Sequence, residues 1–146
     1  MSIFLFADNQ DITRIGLKYI LQTSSYADEM YDAMNKEDLQ QLLRTFPEAV
    51  VILDYTQFDF SSPQQLLNVC ASVPSSSWVL FSEELSPAFL RIVLQSDPSI
   101  SIVMKHAPKQ EILDALKNAS VHSPYRCEEA MEILRQEMIQ HSKPLL

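Results

Sequence analysis

Five short apolar runs, fairly evenly spaced and separated by segments of helical periodicity, narrow the possible folds more than any other feature of this sequence. Ile3–Ala7 is the first, and residues 27–33 follow more weakly. Ala49-Val50-Val51-Ile52-Leu53 is the strongest, and residues 78–81 and 102–104 complete the set. Apolar residues at consecutive positions suit parallel strands covered on both faces, because a strand with one wet face would have to alternate. Residues 27–33 do alternate acidic with apolar side chains, which places that run at a sheet edge.

Between the runs, Ile12, Ile15, Gly16, Tyr19 and Ile20 recur at helical spacing. So do Leu39, Leu42 and Leu43, then Leu66, Leu67 and Cys70, then Phe89, Leu90, Val93 and Leu94, and last Ile112, Leu113 and Leu116. Pro87 and Pro108 each stand where a helix would begin, at the position where a missing N–H costs nothing. The order is β-α repeated five times. It predicts right-handed crossovers and an α/β, doubly wound, five-stranded parallel sheet, flavodoxin-like in strand order 2-1-3-4-5.

After Ala119 the register changes. Residues 120–125 form a connector containing Pro124. Cys127, Met131, Leu134 and Met138 then make a stripe on a C-terminal helix whose wet face is Glu128, Glu129, Glu132 and Glu137. Such a helix either packs on its own domain or serves as a linker or dimerisation helix, and a narrow stripe fits both. The expected division is a domain over residues 1–120, with residues 121–146 as connector and C-terminal helix.

Length and charge remove several classes of function. A chain of 146 residues holds one domain with a proper core, and not comfortably two. Its 11 Lys and Arg against 19 Asp and Glu leave a net charge of −8, which repels phosphate backbones, so this segment is not expected to bind nucleic acid. Cys70 and Cys127 lack a metal-ligand pattern and read as reduced, buried thiols. The first apolar run has no basic residues before it and stops at Asp8, unlike a signal peptide. No stretch approaches the ~18 apolar residues of a membrane helix. A cytoplasmic protein without membrane attachment is expected.

In an open doubly wound sheet the carboxyl ends of the strands line the ligand crevice. The first run ends in Asp8-Asn9, the third in Asp54, the fourth in Ser82 and the fifth in Lys105. Strands often end in polar residues, so each alone says little. Two acids, an amide, a hydroxyl and an ammonium on one rim are a more demanding coincidence.

These segments resemble the receiver domains of two-component response regulators, in particular those of the NarL/LuxR type. Ile3-Phe4-Leu5-Phe6-Ala7-Asp8-Asn9-Gln10, continuing to Arg14-Ile15-Gly16-Leu17, is similar to the family's opening strand, acidic pair and first helix. Val50-Val51-Ile52-Leu53-Asp54 resembles the phosphoacceptor strand. Val79-Leu80-Phe81-Ser82 resembles the strand ending in Ser or Thr, and Met104-Lys105-His106-Ala107-Pro108 the lysine strand. The resemblance runs from Ser2 to about Ala119 and lies in the ordered set, not in any one motif.

It implies a CheY-like fold in which Asp54 accepts a phosphoryl group from a sensor histidine kinase. Asp8, Asn9 and Asp54 would offer oxygens to Mg²⁺, and Ser82 and Lys105 would hold phosphoryl oxygens. It also implies that the fourth and fifth helices and the fifth strand change on activation, that a homodimer is possible, and that a DNA-binding domain missing from this chain follows the receiver.

Several residues depart from the family pattern. Asn9 stands for the second acid, Gln57-Phe58 for Met-Pro, Glu83 for a small residue after the hydroxyl, and Ile102 for the aromatic switch. Gly16 is the sole glycine. A pseudo-receiver, an interaction module that keeps the shape without phosphorylation, is therefore the main alternative. An aspartyl-nucleophile phosphatase ranks lower, since Thr56 stands where that chemistry wants a second acid. His106 reads as a loop histidine at the mouth of the rim, not as a catalytic base.

Overall fold

The computed structural model describes residues 2–142. Its elements are β1 (Ile3–Ala7), α1 (Asp11–Ser24), β2 (Glu29–Asp32), α2 (Lys36–Thr45), β3 (Val50–Leu53), α3 (Pro63–Ser72), β4 (Ser77–Ser82), α4 (Pro87–Ser96), β5 (Ser101–Met104), α5 (Lys109–Ser120) and α6 (Glu128–Ser142), with a 3₁₀ turn over Tyr55–Gln57. The five strands are parallel and ordered β2-β1-β3-β4-β5, as expected.

Strand parity divides the interior into two cores. Phe4, Phe6, Val50, Ile52, Val79, Phe81 and Val103 face Leu17 and Leu21 of α1 and Ile112, Leu116 and Ala119 of α5. The alternate residues, Leu5, Val51, Leu53, Trp78, Leu80 and Ile102, face α2, α3, α4 and α6 through Leu39, Leu66, Leu90 and Ala130. Both faces of the central strands are thus dry, which is why their sequence shows no polar alternation. Cys70 and Cys127 are buried and free, and burial pushes both thiols upward, away from reactivity.

Helix starts follow local chemistry. The side chains of Asn35, Ser62 and Ser86 accept hydrogen bonds from the N–H groups of Asp38, Gln65 and Phe89 at 2.8, 3.2 and 3.2 Å, each satisfying a donor that the first turn leaves free. Pro87 opens α4 as expected. Pro108 instead precedes α5, which starts at Lys109.

Two amphipathic faces differ from their expected register. On α1 the buried residues are Leu17 and Leu21, whereas Ile12, Ile15 and Tyr19 are 78%, 64% and 63% exposed. Leucine and isoleucine residues both recur at helical spacing on this helix, and the leucines face Phe4 and Phe6. On α6 Ala130 is buried, as is Cys127 just before the helix, with Met131, Ile133 and Leu134 half-buried and Met138 exposed.

That register lets α6 lie on its own domain. Arg91 Nε of α4 donates to Glu137 Oε2 at 2.8 Å, and His106 Nε2 meets Glu129 Oε2 at 2.7 Å. The connector pairs with the outer edge of β5: Ile102 N–H donates to the Tyr125 carbonyl at 2.7 Å and Cys127 N–H to the Ile102 carbonyl at 3.0 Å. An edge strand's unpaired backbone groups are thereby covered. Among the described residues no helix is long and apolar enough to cross a membrane.

Candidate functional site

Register brings the polar strand ends together. Ala7 lies beside Leu53 and Ser82 beside Met104, so Asp8 and Asp54 leave their strands level and Lys105 follows one step past Ser82. Asp8 and Asp54 are each 1% exposed and Ser82 is fully buried. Buried carboxylates demand compensation, and here they receive it.

Asp54 Oδ1 accepts three hydrogen bonds: from Thr56 N–H at 3.0 Å, Thr56 Oγ1 at 2.8 Å and Ser82 Oγ at 3.1 Å. Its Oδ2 lies 2.6 Å from Lys105 Nζ. Asp8 Oδ1 accepts from Gln10 N–H at 2.8 Å, and Asp8 Oδ2 lies 2.9 Å from the same ammonium. Burial alone would lower the Lys105 pKa; hydrogen bonds and charge from Asp54 and Asp8 outweigh it, and the group is held above the ordinary lysine value. Lys105 therefore bridges two carboxylates as a cation.

Asn9, by contrast, is exposed, its backbone N–H donating to the Gln57 carbonyl at 3.2 Å. Glu83 is also exposed, at the edge of a groove of about 320 Å³ between α1 and α5 that Gln10, Gly16, Phe81 and Lys105 help to line. His106 is exposed and paired with α6.

Three contributors lie outside the strand-end residues that the sequence singles out. Thr56 sits two residues past Asp54, where a hydroxyl and an N–H can both return to the carboxylate. Gln10 Oε1 accepts a hydrogen bond from Lys105 Nζ. Arg14 Nη1 donates to the Asp8 carbonyl at 2.7 Å, fixing α1 to the end of β1. The Asp-x-Thr spacing was a usable signal for the first; nothing in the sequence pointed to the other two.

The rim suits a small, hard dication on chemical grounds. Asp8 Oδ2 is buried, with the Lys105 ammonium at 2.9 Å as its partner. Two carboxylates and a flanking amide match an ion such as Mg²⁺, which keeps several waters and needs only one or two protein carboxylates. Among the described residues no group of three or more His, Cys, Asp or Glu side chains is arranged to hold a metal ion, so a dication at the rim would rely on two carboxylates.

No protein-family model matches the sequence, and no curated protein matches it. Solved structures do. A response regulator RcsB of Salmonella typhimurium superposes with a TM-score of 0.78 at 20% identity, covering 100% of this chain and 72% of that one. The isolated REC domain of RcsB from Salmonella enterica serovar Typhimurium, with phosphomimetic BeF3⁻, gives 0.74 at 19% identity over 92% of this chain and 98% of that one. A LuxR-family two-component response regulator from Aurantimonas sp. SI85-9A1 gives 0.73 at 16% identity, over 94% and 97%. With its strand order and level rim, the chain has the receiver fold of the RcsB and LuxR-family response regulators.

Proposed function

We propose that this chain is a phosphoacceptor receiver domain of a NarL/LuxR-type response regulator, taking a phosphoryl group on Asp54 from a sensor histidine kinase. The observation that carries this reading is the buried cluster itself, in which Lys105 Nζ joins Asp54 at 2.6 Å and Asp8 at 2.9 Å while Ser82 donates to Asp54. A structural ion pair needs one carboxylate per cation; the second buried acid is surplus unless a further cation is to be held there, and the hydroxyl unless a phosphoryl oxygen is to be received.

In this reading an Asp54 carboxylate oxygen attacks phosphorus, and the P–N bond of a phosphohistidine breaks. The electron pair returns to the imidazole, which takes up a proton from water, and an acyl phosphate remains on Asp54. Ser82 Oγ turns from Asp54 Oδ1 to a phosphoryl oxygen, and Lys105 pairs with another. Asp8, Asp54 and Asn9 would hold Mg²⁺, which when bound supplies charge neutralisation for the phosphoryl oxygens. The chain acts as a signalling domain and not as a turnover enzyme, in the cytoplasm, with a DNA-binding domain as its effector and a homodimer as one output.

Two observations favour the pseudo-receiver instead: Asn9 brings no charge to the rim, and Asp54 is already satisfied on both oxygens. The phosphatase reading gains nothing, since the Thr56 hydroxyl donates to Asp54. Intact-mass spectrometry after long incubation with a small phosphodonor and high Mg²⁺ decides between them. One phosphoryl adduct is expected on the unaltered chain and none on Asp54→Asn. No adduct, or one that persists in Asp54→Asn, leaves the pseudo-receiver.

A further inference from the structure

The two oxygens of Asp54 are held unequally. Oδ1 accepts from Thr56 N–H at 3.0 Å, Thr56 Oγ1 at 2.8 Å and Ser82 Oγ at 3.1 Å, whereas Oδ2 meets the Lys105 ammonium at 2.6 Å. The shortest of the three bonds to Oδ1 comes from the hydroxyl of Thr56, an exposed residue that could bond water instead. Its place is set by the 3₁₀ turn over Tyr55–Gln57, which Asp54 itself caps. The Tyr55 ring lies against Phe89 of α4, with centroids 4.3 Å apart, and the Gln57 carbonyl accepts from Asn9 N–H at 3.2 Å. A turn anchored at both ends presents the hydroxyl to the carboxylate.

Phosphoryl transfer changes what Oδ1 is. Before transfer it shares a full negative charge. Once Oδ2 is bonded to phosphorus, Oδ1 is the neutral carbonyl oxygen of a mixed anhydride. A hydrogen bond to an ionised acceptor is about twice as strong as one to a neutral acceptor, so the Thr56 hydroxyl binds the reactant better than the product. An interaction stronger in the ground state than in the transition state slows the step. Ser82 escapes this conflict by turning to a phosphoryl oxygen. Thr56 places its hydroxyl and its N–H on the same carboxylate oxygen, and the turn keeps both there.

We infer that Thr56 is a positioning residue that holds Asp54 Oδ1, leaves Oδ2 to attack phosphorus, and through its hydroxyl biases Asp54 toward the unphosphorylated carboxylate. The inference rests on the phosphoacceptor reading of this rim and deepens it by naming what restrains the acceptor. With phosphoramidate as donor, Oδ2 attacks phosphorus and the P–N bond breaks. Its electron pair leaves on nitrogen, which departs as ammonia with a proton drawn from water. In the decay, water attacks phosphorus, the bond from phosphorus to Oδ2 breaks, and its electron pair restores the carboxylate beside inorganic phosphate.

The test follows both steps by intact-mass spectrometry, in phosphoramidate with high Mg²⁺ and then after the donor is removed. It compares the unaltered chain with Thr56→Val, Thr56→Ala and Thr56→Ser. Val and Ala keep the backbone N–H and lose the hydroxyl. In both, the ratio of labelling rate to decay rate should rise about three- to tenfold, the scale on which a hydrogen bond to a charged group exceeds one to a neutral group. Thr56→Ser keeps the hydroxyl and should restore the ratio to within about twofold of the unaltered chain. Because Thr56 is exposed, the urea midpoints of all four proteins should nearly coincide, which separates this role from a contribution to the fold.

Equal ratios in all four proteins, with the adduct forming on Asp54, overturn the role of Thr56 and leave the phosphoacceptor reading intact. A raised ratio in Thr56→Ser as well overturns it too, since the hydroxyl would then not be the cause. An adduct on Thr56→Val but not on the unaltered chain, and absent when Asp54→Asn is added, supports the role of Thr56 and makes the unaltered chain a pseudo-receiver. If no variant takes an adduct, both readings fall.

Discussion

Lys105 Nζ lies 2.6 Å from Asp54 Oδ2, joining residues that leave β5 and β3, strands separated in the sheet by β4. The contact spans the mouth of the rim in front of Ser82. With Asp8 on the same ammonium, one cation serves two buried carboxylates.

Lys105→Met should therefore destabilise the fold, because it strands two carboxylates that are each 1% exposed. Loss of one partner from such a buried group costs about 3 kcal/mol. The sign of the pH dependence follows from the raised pKa of Lys105. Its contribution is fully present below the unfolded value near 10.5 and is lost as pH rises through the higher folded value. Urea denaturation should show a constant gap between the two proteins at neutral pH that narrows only in strong alkali; a gap that closes below pH 9 would contradict the assignment.

Asn9→Asp should tighten Mg²⁺ binding several-fold, since it adds a carboxylate beside Asp8 to a site for a hard dication. Asn9 is exposed, so the change costs the fold little. Metal titration checks it, and an unchanged affinity removes Asn9 from the ligand set.

The α1 register predicts a contrast between neighbouring apolar residues. Leu21→Ala, at a fully buried position, should cost about 3 kcal/mol in chemical denaturation. Ile15→Ser, at a position 64% exposed, should cost no more than about 0.5 kcal/mol. Equal costs would mean that the isoleucine stripe faces the sheet after all.

Ser25 ends α1 with φ 61° and ψ 27°, a left-handed conformation that costs a side-chain-bearing residue about 1 kcal/mol. Ser25→Gly should raise the denaturation midpoint by a corresponding amount, with no change in the cooperativity of unfolding. A lower midpoint would show that the Ser25 side chain contributes more than its backbone costs.

Ala130 is fully buried where α6 joins the core beside β5 and α4. Ala130→Asp buries a carboxylate without a partner, so α6 should detach. Hydrogen exchange should then speed up in α6 and at the Ile102 amide while the amides of β1 and β3 stay protected. If all regions lose protection together, α6 is an integral part of the domain and not a separable cover.

The strand cores, the parallel order and the acids, hydroxyl and lysine at the strand ends were legible in the sequence because each depends on local pattern. A strand dry on both faces has no polar residue to show, and its first polar residue marks where it emerges. Contacts between side chains far apart in the chain left no such trace. Gln10 and Lys105 are brought together by the register of strands, and neither residue type at its own position announces the other.

The two helix faces show the same division. On α1, isoleucine and leucine residues both recur at helical spacing; the structure buries Leu17 and Leu21, with Arg14 bonded to the Asp8 carbonyl at the start of the helix. On α6, a narrow stripe on a charged helix was compatible with packing or with linking. The choice came from the backbone pairing of the connector with β5 and from Arg91 meeting Glu137. Periodicity by itself determined which segments are strands and helices, because burial of one face or two writes a pattern into consecutive residues. Only the tertiary structure decided which stripe is buried and which polar groups meet, because those depend on the rotation and register of elements that the chain brings together from a distance.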